Sequence, residues 1–331
     1  MKALQAMGVA AKATTPGGKV AKAHVDAWLR LRHGKAEWEG PVAVKHAITP
    51  ANVGLIAHQF EGLADKPILV TDYVTPPMAQ RLRELGIFFA DTAGNAFIQA
   101  PPLLLWVTGR KPEARPRAAR ASRAFQPGGL RMVFALLCKP DLVNAPYREL
   151  AEAAGVALGT VGWVLRDLRE EGYLADLGKR GRRLVEHRRL LDAWVDAYAR
   201  HLRPKLLLGR YRANWPDWWT GARLEIFGAR WGGETAAAKL TGYLKPAVTT
   251  VYLADDPKLI ARFVVEFKLL KDPDGDVELR QTFWRFDAPH PLLLAPPLLV
   301  YADLLATGDD RNREAARMIY DQHLARLVEP A

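Results

Sequence analysis

The feature that most constrains this chain is a run of helical segments punctuated by glycine and proline between residues 128 and 189. Residues 130–137 are apolar and stop short of Pro140. Residues 147–154 follow Pro146 and stop at Gly155, and residues 158–171 follow a short turn and stop at Gly172. In the last of these, Val161, Val164, Leu165 and Leu168 recur at helical spacing and form one apolar face. Thr160, Gly162, Trp163, Arg166 and Arg169 are then left pointing largely outward. Two short β-prone stretches follow, Tyr173-Leu174-Ala175-Asp176 and Arg183-Leu184-Val185. Between them lies Gly178-Lys179-Arg180-Gly181-Arg182, where two glycines permit a tight turn and the cations between them can reach phosphates.

A helix, a glycine turn, an outward polar helix and a basic hairpin in that order predict a winged helix-turn-helix, whose third helix enters a major groove. The expected DNA contacts are Thr160, Trp163, Arg166 and Arg169 on that helix and Lys179, Arg180, Arg182 and Arg183 on the wing. Which of them reads bases is open. Gly162 and Trp163 stand where small polar or basic base-readers are common, and Trp163 either packs inward or stacks on sugar. The alternative, a winged helix used for protein contacts, is disfavoured by charge. The 331-residue chain has a formal net charge of +11. Between Gly109 and Arg212 lie 22 Lys+Arg and 11 Asp+Glu, and the remainder holds 25 of each, so all the excess sits in the middle third. That is the footprint of a nucleic-acid module within a larger protein.

The chain is long enough for two or three domains. Residues 20–108 alternate helical and strand patterns: helices at 23–33, 49–63 (Thr49 near its cap) and 76–85, and strands at 42–47, 67–73, 87–90, 96–99 and 103–107. This predicts an N-terminal α/β domain. Residues 109–126 read as a basic linker, whose Arg110, Lys111, Arg115, Arg117, Arg120 and Arg123 either track a phosphate backbone or are simply solvated. Residues 127–190 hold the winged helix, and 191–330 form an α+β domain led by a long helix around 187–208. In this last part, 264–270 and 277–286 read as a β-hairpin, and 301–323 as a helix broken near Gly308. The whole is a multidomain chain of α/β and α+β parts.

Other chemistry is excluded by residue type. No stretch of about 18 apolar residues exists to span a membrane, and no secretory signal opens the chain; a cytoplasmic protein is expected. The one cysteine, Cys138, excludes a disulfide framework and a cysteine-rich zinc site and reads as a small core hydrophobe. Eight scattered histidines make no metal-binding pair. Trp215, Trp218, Trp219 and Trp231 are more often packing than a ligand cage. No cofactor or metal is expected.

Two further strings carry a resemblance. The first is Leu82-Arg83-Glu84-Leu85-Gly86-Ile87-Phe88-Phe89-Ala90-Asp91-Thr92-Ala93-Gly94-Asn95-Ala96-Phe97, with Val74-Thr75-Pro76-Pro77 before it and Trp106-Val107-Thr108-Gly109-Arg110-Lys111 after it. The second is the region from the winged helix onward. Together they resemble the AbiEi family of bacterial type IV toxin–antitoxin antitoxins, in a branch with an extra N-terminal domain. The resemblance implies a repressor of its own promoter that opposes a nucleotidyltransferase toxin encoded nearby, and no enzyme. The alternatives are a stand-alone winged-helix regulator with a ligand-sensing C-terminal domain, and a DNA-directed nuclease or nucleotidyltransferase.

The enzymatic alternatives meet missing residues. The N-terminal pattern resembles a degenerate restriction-endonuclease-like core, in which Asp91 would be the first acid. The strand that should carry Glu-x-Lys is instead Leu103-Leu104-Leu105-Trp106-Val107-Thr108. Asp91 and Asn95 are then expected to hold a tight turn. In the C-terminal part, Gly232-Gly233 before a helix, followed by the strand Thr249-Thr250-Val251-Tyr252-Leu253, resembles a nucleotidyltransferase core. The Asp-x-Asp that would hold magnesium is absent. A degenerate nucleotidyltransferase-like fold and an unrelated α+β domain with a glycine turn both stay open. Asp255 and Asp256 precede Pro257 and read as a helix start.

Overall fold

A computed structural model of the chain describes residues 9–14, 25–34, 36–45, 48–50, 52–61, 63, 67–101, 103–111 and 122–328. It divides into two compact units, Met1–Ala119 and Arg120–Ala331.

The first unit is built on a seven-stranded mixed sheet whose strands lie side by side in chain order. They are β1 (Ala10–Thr14), β2 (Ala27–His33), β3 (Ala36–Lys45), β4 (Ile68–Thr71), β5 (Phe89–Asp91), β6 (Ala96–Ala100) and β7 (Leu103–Val107). Among the described residues, β3–β4 and β4–β5 pair in parallel and the other neighbours antiparallel. Those two crossovers carry α1 (Val53–Phe60) and α2 (Pro76–Glu84), because a parallel return needs a connection across the sheet face. Successive strand residues separate into two cores as the pleat requires. Ala43, Leu69, Phe89 and Phe97 join the helices on one face, whereas Val42, Ile68, Ala90, Ala96 and Ile98 join Leu29 and Leu31 on the other.

Two expectations are corrected here. The segment expected to be helical at 23–33 holds strand β2 (Ala27–His33), with residues 25 and 26 irregular before it, because Leu29 and Leu31 are buried while Arg30 and Arg32 face out, a period of two. Residues 23 and 24 lie outside the described residues. The helix expected from Thr49 begins later, at Val53 with Asn52 as its cap residue; the Asn52 amide oxygen accepts the Thr49 N–H at 2.7 Å.

The second unit starts with a 3-10 turn, Arg123–Phe125, then three helices: α3 (Pro127–Cys138), α4 (Tyr147–Ala154) and α5 (Leu158–Glu170). Gly155 ends α4 in the left-handed conformation, φ 62°. The face expected to be apolar on α5, Val161, Val164, Leu165 and Leu168, is buried. Strands β8 (Leu174–Asp176) and β9 (Arg182–Leu184) then form a two-stranded antiparallel hairpin. A long helical stretch follows: α6 (His187–Ala197), a π-helical turn at Tyr198–Leu202 and a 3-10 turn at Arg203–Leu206.

The remainder is a five-stranded sheet in the order β11-β12-β14-β10-β13, with β10 (Leu207–Arg212), β11 (Arg230–Gly232), β12 (Thr249–Leu253), β13 (Leu270–Lys271) and β14 (Val277–Gln281). Helices α7 (Gly233–Thr241), α8 (Pro257–Glu266), α9 (Pro297–Leu305), α10 (Asp310–Ile319) and α11 (Ala325–Val328) accompany it. The expected hairpin of 264–270 with 277–286 does not form. Val264 to Glu266 end α8, and β13 and β14 each pair with β10, which lies between them. The helical break at Gly308 is present, with Asp309 capping α10 through the Arg311 and Asn312 N–H groups. Asp256 caps α8 in the same way, as expected of a helix start.

The core runs without interruption from the three helices into the sheet. Phe134 on α3 stacks on Trp194 of α6, ring centroids 5.2 Å apart, and meets Phe283 at 5.0 Å and Phe286 at 5.7 Å. The Trp194 indole N–H donates to the Leu130 carbonyl at 2.8 Å, and the Arg285 N–H to the Ala153 carbonyl at 3.0 Å. Trp218 and Trp231 are buried in a second aromatic cluster with Phe227, Phe263 and Phe267, as packing residues rather than a cage.

Candidate nucleic-acid interface

The outer face of α5 follows from its buried face. Once Val161, Val164, Leu165 and Leu168 turn inward, residues 162, 163, 166 and 169 must turn out, and all four are exposed. Trp163 is 44% exposed. The guanidinium of Arg166 lies over its ring at 4.1 Å and that of Arg123 at 4.4 Å. Arg123 comes from the 3-10 turn before α3. That turn sits directly on α3 because residue 129 is glycine: a Cβ there would collide with the Arg123 and Ala124 carbonyl oxygens. Asp167 fixes the same turn by accepting the Arg123 N–H at 2.7 Å. An exposed tryptophan is thereby held between two arginines from separate elements, by cation–π attraction.

The hairpin stands beside this face. Its tip is a 3-10 turn, Gly178–Arg180, with Gly178 and Gly181 at positive φ, so both glycines are used as the turn requires. Lys179, Arg180 and Arg183 are exposed and make no ion pair among the described residues. Asn144, before α4, grips the hairpin at both ends of one residue: its amide oxygen accepts the Arg182 N–H at 2.7 Å and its amide N–H donates to the Arg182 carbonyl at 2.9 Å.

The eight expected contact residues therefore separate. Trp163, Arg166, Lys179, Arg180 and Arg183 are presented outward. Arg169 is exposed but lies 3.9 Å from Asp176 on the hairpin. Arg182 is half-buried, with its guanidinium over the Tyr147 ring at 5.5 Å. Thr160 is half-buried and faces Gly128. Sequence reasoning missed Asn144 and Tyr147, which hold the hairpin in place. It placed Arg123 only in the basic linker, of which residues 112–121 lie outside the described residues; the Gly128-Gly129 pair after Pro127 was the available signal for its close packing.

The sheet face that carries Gly232-Gly233 is filled by its own side chains. Thr250 packs under Gly233. The Tyr252 hydroxyl donates to Asp303 at 2.8 Å, as does the Tyr198 hydroxyl, and Arg203 reaches the same carboxylate at 3.1 Å. Beside them Glu278 pairs with Arg280 at 2.7 Å and Arg203 at 3.6 Å. Burial pushes Glu278 up, but Arg280 and Arg203 outweigh it and hold its carboxyl below the usual carboxylate range. In the first unit, Asp91 accepts the Val74 and Asn95 N–H groups and the Asn95 amide, each within 2.8 Å, and Asn95 in turn binds the Arg110 backbone. These are the expected turn contacts. No group of three His, Cys, Asp or Glu is arranged to hold a metal among the described residues, and no helix among them is long and apolar enough to cross a membrane.

The fold and this surface define a mixed α/β protein that displays a basic helix-and-hairpin face on a helical module sharing a core with a mixed sheet. Residues 183–325, from β9 to α11, match the family described as Transcriptional regulator, AbiEi antitoxin, Type IV TA system, the family that the resemblance named. The family is one of transcriptional regulators that serve as antitoxins. No curated protein and no solved structure matches the chain.

Proposed function

We propose that residues 127–190 are a winged helix-turn-helix and that the protein is a DNA-binding repressor of its own promoter. In the same reading it is the antitoxin of a type IV toxin–antitoxin system, opposes a nucleotidyltransferase toxin encoded nearby, and acts in the cytoplasm without enzymatic activity. The observation that carries DNA binding is the surface of α5 and the hairpin. Trp163 and Arg166 stand out on α5 with Arg123 reaching over them from the turn before α3, and Lys179, Arg180 and Arg183, unpaired among the described residues, stand out on the hairpin. All of the chain's excess positive charge lies in this middle third. The antitoxin role is supported by the family match over residues 183–325. The blocked sheet face beneath Gly233 favours a binding role over nucleotide transfer, because Tyr252 and Thr250 occupy the positions where a metal-holding pair of acids would be needed.

The purified protein is expected to shift a fragment of its own promoter. With about five phosphates neutralised per protomer, log K falls against log salt with a slope of roughly −4 to −5. The combined Lys179, Arg180, Arg182 and Arg183→Ala variant abolishes the shift at near-physiological salt. Specific binding retained by that variant puts the hairpin assignment in error. For the antitoxin role, co-expression with the neighbouring nucleotidyltransferase restores growth of cells that the toxin alone arrests. Absence of such a gene favours a stand-alone regulator.

A further inference from the structure

The end of α3, the loop that runs from β14 to α9 and the turn before α11 enclose a cleft of about 240 Å³. Its walls are apolar, with Phe286, Leu298 and Leu324 among them, and it is also lined by Lys139, His290 and His323. No Asp or Glu lines it among the described residues. We propose that this cleft is a binding site for a small organic acid, a single carboxylate on a compact apolar body.

Small-molecule sites are concave and mostly apolar with a few convergent polar groups, and commonly span roughly 300–1,000 Å³. This cleft has that character at a volume just below that range, which limits the occupant to one or two rings or a short chain. Its polar groups are all of one sign or neutral donors. Lys139 closes the end of α3, whose last carbonyls it follows directly. His290 accepts the Leu292 N–H on Nδ1 at 3.2 Å, so the neutral ring keeps its proton on Nε2 as a donor. Burial, then His323 and Arg230, hold the His290 imidazole below its ordinary value. Lys139 brings a positive charge to the cleft that a carboxylate would offset by a charge-assisted hydrogen bond, and the neutral His290 ring offers its Nε2–H as a second donor. The loop itself is set for this shape: Leu293 adopts positive φ, 52°, and the backbones of Leu293 and Ala295 are tied to Trp231 of β11 at 2.8 Å each. The test reads small-molecule binding without DNA, so its outcome is separate from that of the gel shift.

The test is calorimetry of the full chain with 2-naphthoate and its neutral counterpart 2-naphthamide. We expect one saturable site for the acid and at least tenfold weaker binding of the amide. The variant Lys139→Met, His290→Gln, His323→Gln removes the preference for the acid, and Ala288→Trp, which fills the cleft from its loop side, removes binding of both. Should the triple variant fail to fold by circular dichroism, the acid–amide ratio on the wild type and the Ala288→Trp result still decide. Equal binding of acid and amide, a preference that survives the triple variant, binding that survives Ala288→Trp, or no saturable binding to the wild type overturns the proposal.

Discussion

Two clusters in the second unit use the same materials to opposite ends. On the outer face of α5, Trp163 lies with Arg123 and Arg166, open to solvent. Between the sheet and α9, Tyr198, Tyr252 and Arg280 lie sealed from it, with a half-buried Arg203 at their edge; Arg280 is 3% exposed and Asp303 1%. The difference is the carboxylates. Inside, Asp303 and Glu278 meet the guanidiniums and hydroxyls at 2.7–3.6 Å, so every charge has its partner within the fold. Outside, the arginines rest on an aromatic ring, which attracts a cation without neutralising it, and Glu170 stands 3.9 Å from Arg166 with both side chains in solvent. A paired arginine holds the protein together, and one left on a ring is still available to a phosphate.

Removing the central carboxylate is the strongest way to break this contrast. Asp303→Ala removes the carboxylate shared by Arg203 and two buried tyrosine hydroxyls, leaving Arg203 only Glu278 at 3.6 Å and the hydroxyls only each other at 3.0 Å, and loss of one partner from a buried ionic network costs about 3–5 kcal/mol. Urea denaturation measures it. A loss under about 1 kcal/mol would mean that the interior cluster is no more structural than the surface one.

The converse experiment is Trp163→Ala. The ring is exposed and its partners come from the surface, so unfolding free energy should change by less than about 1 kcal/mol. DNA affinity in the gel shift is expected to fall about three- to tenfold, as Arg123 and Arg166 lose the ring that orients them; cation–π contacts at exposed sites contribute roughly 0.5–1 kcal/mol each. A variant destabilised by more than about 2 kcal/mol with unchanged DNA affinity would make Trp163 a packing residue and erase the distinction.

The outward face of α5 was legible in the sequence, but Arg123's place over Trp163 and the whole interior cluster were not, for a physical reason. The α5 face follows from local periodicity, since Val161, Val164, Leu165 and Leu168 fix by their spacing where Trp163 and Arg166 point. The interior network joins residues 198, 203, 252, 278, 280 and 303, brought together only by the strand order β12-β14-β10. Local pattern carries no information on that order, which is also why 264–270 and 277–286 read as a hairpin although β10 comes between their strands. Strand β2 failed differently. Its alternation of Leu29 and Leu31 with Arg30 and Arg32 was present in the sequence, but in so short a segment it was read as helix. Residue types alone gave Asp91 with Asn95 as a turn, because both ends of that interaction lie within five residues.

The finest probe of the α5 surface is Gly162, next to Trp163. Glycine within a helix costs about 1 kcal/mol relative to alanine. The backbone here is helical, and a Cβ added at residue 162 would find its nearest neighbour, Tyr147 Cε2, at 3.8 Å, an ordinary contact. Gly162→Ala is therefore expected to stabilise the protein by about 0.4–1 kcal/mol in urea. If α5 lies in a major groove, the same methyl group stands between helix and DNA, and operator affinity falls although stability rises. That opposite movement is what a binding surface produces and a packing surface cannot. Should Gly162→Ala stabilise the fold and leave DNA affinity untouched, residue 162 does not face DNA, and the contact face must be rotated toward Arg166 and the hairpin.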